Sequence, residues 1–166
     1  MGLWATVAVN YTSCPTEGEA VGFRAMKGME THSAHPARDA ARTSMAAVEA
    51  GDRDGWLSLF TPDAIVQDPI GPSMFDPDGL GHRGTEAIAA FYDSVIASGR
   101  VTFAIRESYA SGLECANAGT ITTTLPDGSR AIVDGVYTYK VDDQGMITAL
   151  RAYWEPEHLR LEPPTD

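Results

Sequence analysis

Asp63-Ala64-Ile65-Val66-Gln67-Asp68-Pro69-Ile70-Gly71 is the one extended segment in a first half otherwise patterned for helix, and it ends on a carboxylate followed at once by Pro and Gly. Over Ala64 to Asp68, two-residue alternation puts Ala64, Val66 and Asp68 on one face and Ile65 and Gln67 on the other. Asp68 therefore shares a face with Val66. A carboxylate so placed is paired, sits in water at a strand end, or occupies a cavity where lost hydration raises its proton affinity.

Helical patterns flank this strand. On the N-terminal side, Ala37, Ala40, Ala41, Met45 and Val48 recur at helical spacing between Pro36, suited to a first turn, and Gly51, suited to a stop. Ser44 falls on the stripe of Ala37, Ala41 and Val48 and points inward. A short second helix is expected over Asp52 to Phe60, with Trp56, Leu57, Leu59 and Phe60 as its apolar content, ended by Thr61-Pro62. On the C-terminal side, Gly84-Thr85-Glu86 opens a third helix with Thr85 as N-cap, and Ile88, Phe91, Tyr92, Val95 and Ile96 as the buried stripe. Between strand and helix, residues 69–83 form a long loop whose Met74 and Phe75 suit a lid over an apolar pocket.

From Val101 the period switches from 3.6 to 2. Val101, Phe103, Ile105 and Tyr109 share a face, and strands over 116–125, 131–141 and 146–154 follow, joined by turns at Pro126-Asp127-Gly128 and Asp142-Asp143-Gln144-Gly145. Helices first and strands after, with one early strand between, predict an α+β domain: a strongly bent, mostly antiparallel sheet with three helices over its concave face. The pocket is expected between them. The two faces of the last strands, one with Val133, Tyr137 and Tyr139, are both partly apolar, which predicts a pocket on one side and a homodimer contact on the other.

Composition bounds the function. A chain of 166 residues fits one domain with a substantial core. No apolar run reaches the ~20 residues of a membrane helix, so no membrane association is expected. A net charge of -11 and a pI near 4.6 disfavour nucleic acid and anionic surfaces as partners. Cys14 and Cys115 are far apart and offer neither a disulfide framework nor a metal-ligand spacing, which points to a reduced, cytoplasmic protein. Asp76, Asp78 and Gly79 lack the further ligands of a calcium loop, so no metal is expected. The start, Met1 to Val9, has no basic n-region and is not expected to be a signal peptide. Residues 1–36 show no periodicity and are expected to be a loosely ordered extension, with the domain over 37–160 and a tail over 161–166. His32, His35 and His158 lie away from the pocket, and His82, beside Arg83, is expected to be exposed.

Glu49-Ala50-Gly51-Asp52, Ala64 to Gly71, Gly84-Thr85-Glu86-Ala87-Ile88 and Leu150-Arg151-Ala152-Tyr153-Trp154 together resemble the bacterial ketosteroid isomerases, within the nuclear transport factor 2-like superfamily. The resemblance covers about residues 37–160 and implies the cone-shaped, cystatin-like version of the α+β fold. It implies Asp68 as general base of a cofactor-independent isomerase acting on a β,γ-unsaturated ketone of a steroid-like ligand. The tyrosine donor of the family falls on Ser44, and its protonated aspartate falls at Tyr137, or on Asp134 in a shifted register. Tyr137 is thus the candidate oxyanion donor, with Ser44 or Tyr92 adding a weaker bond. Trp56, Phe60, Met74, Phe75, Tyr92 and Trp154 are the expected apolar walls. A noncatalytic carrier of a hydrophobic ligand, or a polyketide cyclase or dehydratase-like enzyme on the same fold, are the alternatives.

Overall fold

The computed structural model describes residues 34–164. The extension expected over the first 36 residues therefore falls almost wholly outside the described residues.

Helix α1 (Pro36–Ala50) carries Pro36 in its first turn and stops at Gly51, whose φ of 68° is the left-handed conformation that glycine adopts without strain. Ala37, Ala41, Ser44, Met45 and Val48 are buried as the periodicity predicts. Arg38 is buried as well, donating from Nε to Ser108 Oγ at 3.0 Å, so its charge enters the core edge with a partner.

Helix α2 spans only Arg53–Leu57, with the Asp52 carboxylate accepting from the Gly55 N–H at 2.9 Å. The expectation of helix through Phe60 is corrected: Phe60 opens strand β1 (Phe60–Gln67). The cause is tertiary. The Leu59 carbonyl accepts from the Ile147 N–H at 2.8 Å, so a distant strand captures the backbone before another helical turn forms.

Strand β2 (His82–Arg83) pairs with β1 and leads into α3 (Gly84–Ser94), which begins at Gly84 with Arg83 at the cap position, two residues before the expected Thr85 cap. Strands β3 (Arg100–Ser111), β4 (Glu114–Thr124), β5 (Arg130–Val141) and β6 (Ile147–Tyr153) form an antiparallel meander. Strand β7 (Arg160–Glu162) pairs with the start of β5, so the sheet claims Leu161 and Glu162 from the expected tail. The sheet order is β2-β1-β6-β5-β4-β3, and β1 runs parallel to β6, the one parallel pair among the described residues.

A bulge bends the sheet. Ile105 pairs with Gly119 and Glu107 with Ala118, leaving Arg106 as the extra residue. A Cβ on Gly119 would lie 2.6 Å from the Ala104 carbonyl oxygen, so glycine is needed where the strands close up. The bulge also inverts the alternation. Ser108 turns inward and Tyr109 outward to 65% exposure, correcting the expectation that Tyr109 shares the face of Val101, Phe103 and Ile105. The helices cover the concave side, where Met45, Trp56, Val66, Ile88 and Phe91 meet the inner faces of β4–β6.

Candidate functional site

A cavity of about 290 Å³ opens between the helices and the bent sheet, close to the lower bound of small-molecule pockets. Its wall is mostly apolar: Val48, Val66, Phe91, Val101, Phe103 and Leu150 contribute from five elements. Against it stand a few polar groups, chief among them Asp68, Tyr137, Tyr139 and Ser44.

Asp68 follows the last residue of β1, on the cavity side as the alternation from Val66 requires, and its peptide bond to Pro69 is cis. Its Oδ1 accepts from the Trp154 indole N–H at 2.6 Å. Trp154 comes just after β6, and the parallel pairing of Gln67 with Arg151 brings the two strand ends together. Burial pushes the Asp68 carboxyl up to about 6, with the indole bond pulling the other way because it favours the charged form. The group is thus a base near neutral pH in an otherwise apolar chamber.

Tyr137 and Tyr139 project from the same face of β5 into this cavity, both 3% exposed. Desolvation raises both phenols well above the ordinary tyrosine range, and the nearby Asp68 charge raises them further, so both stay protonated donors. The Tyr137 hydroxyl donates to the Val133 carbonyl at 3.3 Å, a long bond. It reaches that position over Gly135, where a Cβ would stand 3.4 Å from the phenol oxygen and 2.7 Å from the Tyr153 carbonyl oxygen. Below it, the buried Asn117 amide donates to the Tyr137 carbonyl at 3.3 Å, fixing the strand under the phenol.

Ser44, on α1, accepts from the Trp56 indole N–H at 3.0 Å and lines the cavity with Tyr139. Met74 and Phe75, on the loop after Asp68, reach the cavity rim; Met74 is 62% exposed, and Phe75 meets Trp154 edge-on at 6.3 Å. The loop is tied internally, since Asp76 accepts from the Gly79 N–H at 3.1 Å and the Gly81 N–H at 2.6 Å.

Two expected wall residues stand elsewhere. Phe60 and Tyr92 pack behind Trp56, at ring distances of 4.6 and 5.3 Å, and Trp56 separates them from the cavity. Burial raises the Tyr92 phenol, with the Asp52 charge adding to it, and the residue is not part of the cavity lining. The shifted register is also corrected. Asp134 lies on the outer face, held down to about 2 by Thr120 and Arg160. His82 is half-buried and not exposed as expected: its ring stacks on Phe91 at 4.7 Å, and its Nε2 has no partner among the described residues.

Tyr139, Ser94, Ser98 and Thr123 line the cavity without standing among the site residues expected from the sequence, and Asn117 supports the strand beneath it. Alternation from Thr123 and Ile121 back through Gly119 to Asn117 was the available signal for that strand. Among the described residues no cluster of three metal-ligating side chains occurs, and no helix is long and apolar enough to cross a membrane.

The sequence pattern described as "SnoaL-like domain" matches residues 41–150. A steroid Δ-isomerase of Nocardioides simplex is 28% identical over 117 residues, 70% of this chain and 88% of its own length. The crystal structure of a Δ5-3-ketosteroid isomerase from Mycobacterium sp. is 42% identical, with a TM-score of 0.73 over 76% of this chain and 98% of that one. RV0760c from Mycobacterium tuberculosis is 37% identical, with a TM-score of 0.75 over 79% of this chain and 99% of that one, and has also been crystallised with estradiol-17β-hemisuccinate.

Proposed function

Because the chain belongs to the SnoaL-like domain family, in the ketosteroid isomerase-like branch of the nuclear transport factor 2-like superfamily, we propose that it moves a proton within a β,γ-unsaturated ketone of a steroid-like ligand. One observation carries this reading: a carboxyl raised to about 6 stands in an apolar cavity beside two protonated phenols. That combination suits proton abstraction next to a carbonyl, since the base is ionised at neutral pH and the donors meet charge where it develops.

The Asp68 carboxylate takes the proton from the carbon between the ketone and the double bond. The C–H electron pair becomes a carbon–carbon double bond and the carbonyl π pair moves onto oxygen, giving a dienolate. Tyr137 donates to that oxygen by turning its hydroxyl away from the Val133 carbonyl, whose bond is long enough to be an easy exchange. Asp68 then returns the proton to the far end of the former double bond, and the carbonyl re-forms in conjugation with the new one. No electrons enter or leave, so no cofactor is called for. Trp154 holds the carboxylate aimed inward through both transfers.

The test is turnover of a β,γ-unsaturated 3-ketosteroid, followed by the ultraviolet band of the conjugated enone. Activity above background that falls at least a thousand-fold in Asp68→Asn supports the reading; no activity, or activity unchanged in Asp68→Asn, sinks it. A noncatalytic carrier is the second reading, favoured by Ser44 at the position where the resemblance has a tyrosine. Tight steroid binding without turnover supports it. We further propose that a second copy covers the outer face of the sheet, where Val136 and Tyr153 pair in register and are exposed with Tyr109. Sedimentation at micromolar concentration distinguishes a dimer from a monomer.

A further inference from the structure

We propose that the end of the cavity away from Asp68 recognises a hydroxyl group on the ligand, with Ser94 and Ser98 as its hydrogen-bond acceptors, and so selects a hydroxyl over a ketone there. Which end of the ligand lies at this rim rests on the isomerase reading above; the preference for a donor does not.

The cavity has two polar ends. At one stand Asp68 and Tyr137, and at the other Ser94, Ser98 and Thr123. The strand register measures their separation. Tyr137 pairs with Asn117 and Ala131 with Thr123, so the two ends are six positions apart along both β4 and β5, roughly 20 Å of extended chain. In that interval Phe103, Ile121 and Val133 stand side by side on β3, β4 and β5, and all three line the cavity. A rigid polycycle with its ketone at Asp68 and Tyr137 crosses this apolar belt and presents its far end to the second polar group.

Ser94 is the last residue of α3, and Ser98 closes the 3-10 turn Ile96–Ser98. The chain just beyond Ser98 lies against β4: a Cβ on Gly99 would stand 2.9 Å from Thr123 Cγ2 and 2.6 Å from the Thr124 carbonyl oxygen. The serines and the threonine thus belong to one rim.

What this rim offers a ligand follows from counting protons. A hydroxyl has one proton and two lone pairs, and a carbonyl oxygen can only accept. Ser94 Oγ donates to the Ala90 carbonyl at 2.8 Å, and Ser98 Oγ donates to the Val95 carbonyl at 2.6 Å. Each serine has given its one proton to the main chain, so its oxygen presents lone pairs alone. A ligand hydroxyl can donate to them. A ligand ketone, itself only an acceptor, meets two acceptors and gives up its bond to water. Thr123 can donate or accept and so serves either group, which leaves the preference to the serines. Both serines are exposed at the mouth, so a ligand bond there replaces one to water. Its effect is therefore read in selectivity between ligands.

The experiment compares two fluorescent naphthol steroids that differ at one carbon: equilenin, with a ketone at C17, and 17β-dihydroequilenin, with a hydroxyl. Binding is titrated with full-length wild type, Ser94→Ala, Ser98→Ala, the double variant and Ser94→Thr. Wild type is expected to bind the hydroxyl form about five-fold more tightly, the size of one net neutral hydrogen bond. The ratio is expected to fall part of the way in each single alanine variant and to about one in the double variant. In Ser94→Thr, which keeps the acceptor, it is expected to hold. Because each ratio compares two ligands on one protein, general loosening of the site cancels. A wild-type ratio of one or below overturns the inference, as does a ratio that survives intact in the double variant. Failure of the wild type to bind either steroid overturns it too. A wild type that keeps the ratio but shows no turnover of a β,γ-unsaturated 3-ketosteroid brings down the isomerase reading alone. Should the double variant fail to fold, the contrast between Ser94→Ala and Ser94→Thr decides.

Discussion

The indole N–H of Trp154 donates to Oδ1 of Asp68 at 2.6 Å, linking a residue just past β6 to one just past β1 across 86 positions of sequence. The bond does two opposed things. It fixes the orientation of the carboxylate, and by favouring the ionised form it offsets part of the rise that burial imposes.

The rate of isomerisation is therefore expected to climb through pH 6 and level off above it, because Asp68 must be ionised to accept a proton. Trp154→Phe removes the one interaction that lowers the carboxyl, so the midpoint moves upward and the rate at pH 6 falls more than the rate at pH 8. A pH profile of kcat/KM for both proteins checks this; a midpoint unmoved or lowered in Trp154→Phe contradicts the assigned role of the indole.

Stability should move against activity at the same residue. The folded carboxyl has a higher proton affinity than the unfolded one, so between pH 4 and 6 the native state binds more protons, and stability declines as pH rises through that window. The charge then costs about 1–3 kcal/mol above pH 6 and nothing below pH 4. Asp68→Asn is expected to raise Tm by several degrees at pH 8 and to leave it unchanged at pH 3.5. Thermal unfolding at the two pH values measures the difference, and equal shifts at both would contradict a cost arising from charge.

The loop after Asp68 is held by Asp76, which accepts the amides of Gly79 and Gly81. Asp76→Ala removes both bonds, worth about 1–3 kcal/mol locally. Amide exchange over residues 71–81 is expected to quicken at least ten-fold, and steroid affinity to drop several-fold as Phe75 loses its seat on Trp154. Exchange in α1 should not change.

Gly135→Ala places a methyl 2.7 Å from the Tyr153 carbonyl oxygen and against the Tyr137 hydroxyl. Overpacking of this kind costs about 1–3 kcal/mol, and here it also displaces the candidate donor. Both Tm and kcat are expected to fall, while Gly51→Ala, at the open end of α1, lowers Tm and spares kcat. Parallel loss of rate in the two variants would remove Gly135 from the account of the site.

What was legible in the sequence was whatever depends on regular period and local chemistry. The stripe of α1, the inward face shared by Val66 and Asp68, and the turns built by Asp127 and Asp142 are of this kind. What was not legible depends on partners far away. One extra residue at Arg106 turns Tyr109 out and Ser108 in, and no period reveals it. Phe60 leaves its helix because Ile147 takes the Leu59 carbonyl. Trp56 reaches Ser44 from another helix, and His82 is half-buried because Phe91 stacks against it.

The parallel pairing of β1 with β6 also governs when Asp68 and the cavity wall come together. Strand β1 pairs locally with β2, which follows it within one loop, whereas it meets β6 only after most of the domain has been made. A nascent chain stopped before Ile147 has Asp68 but neither the strand that anchors it nor the indole that holds it. Long-range closures of this sort dominate the entropy barrier to folding. Asp68 and the indole that holds it are thus brought together by the closure that joins β1 to β6.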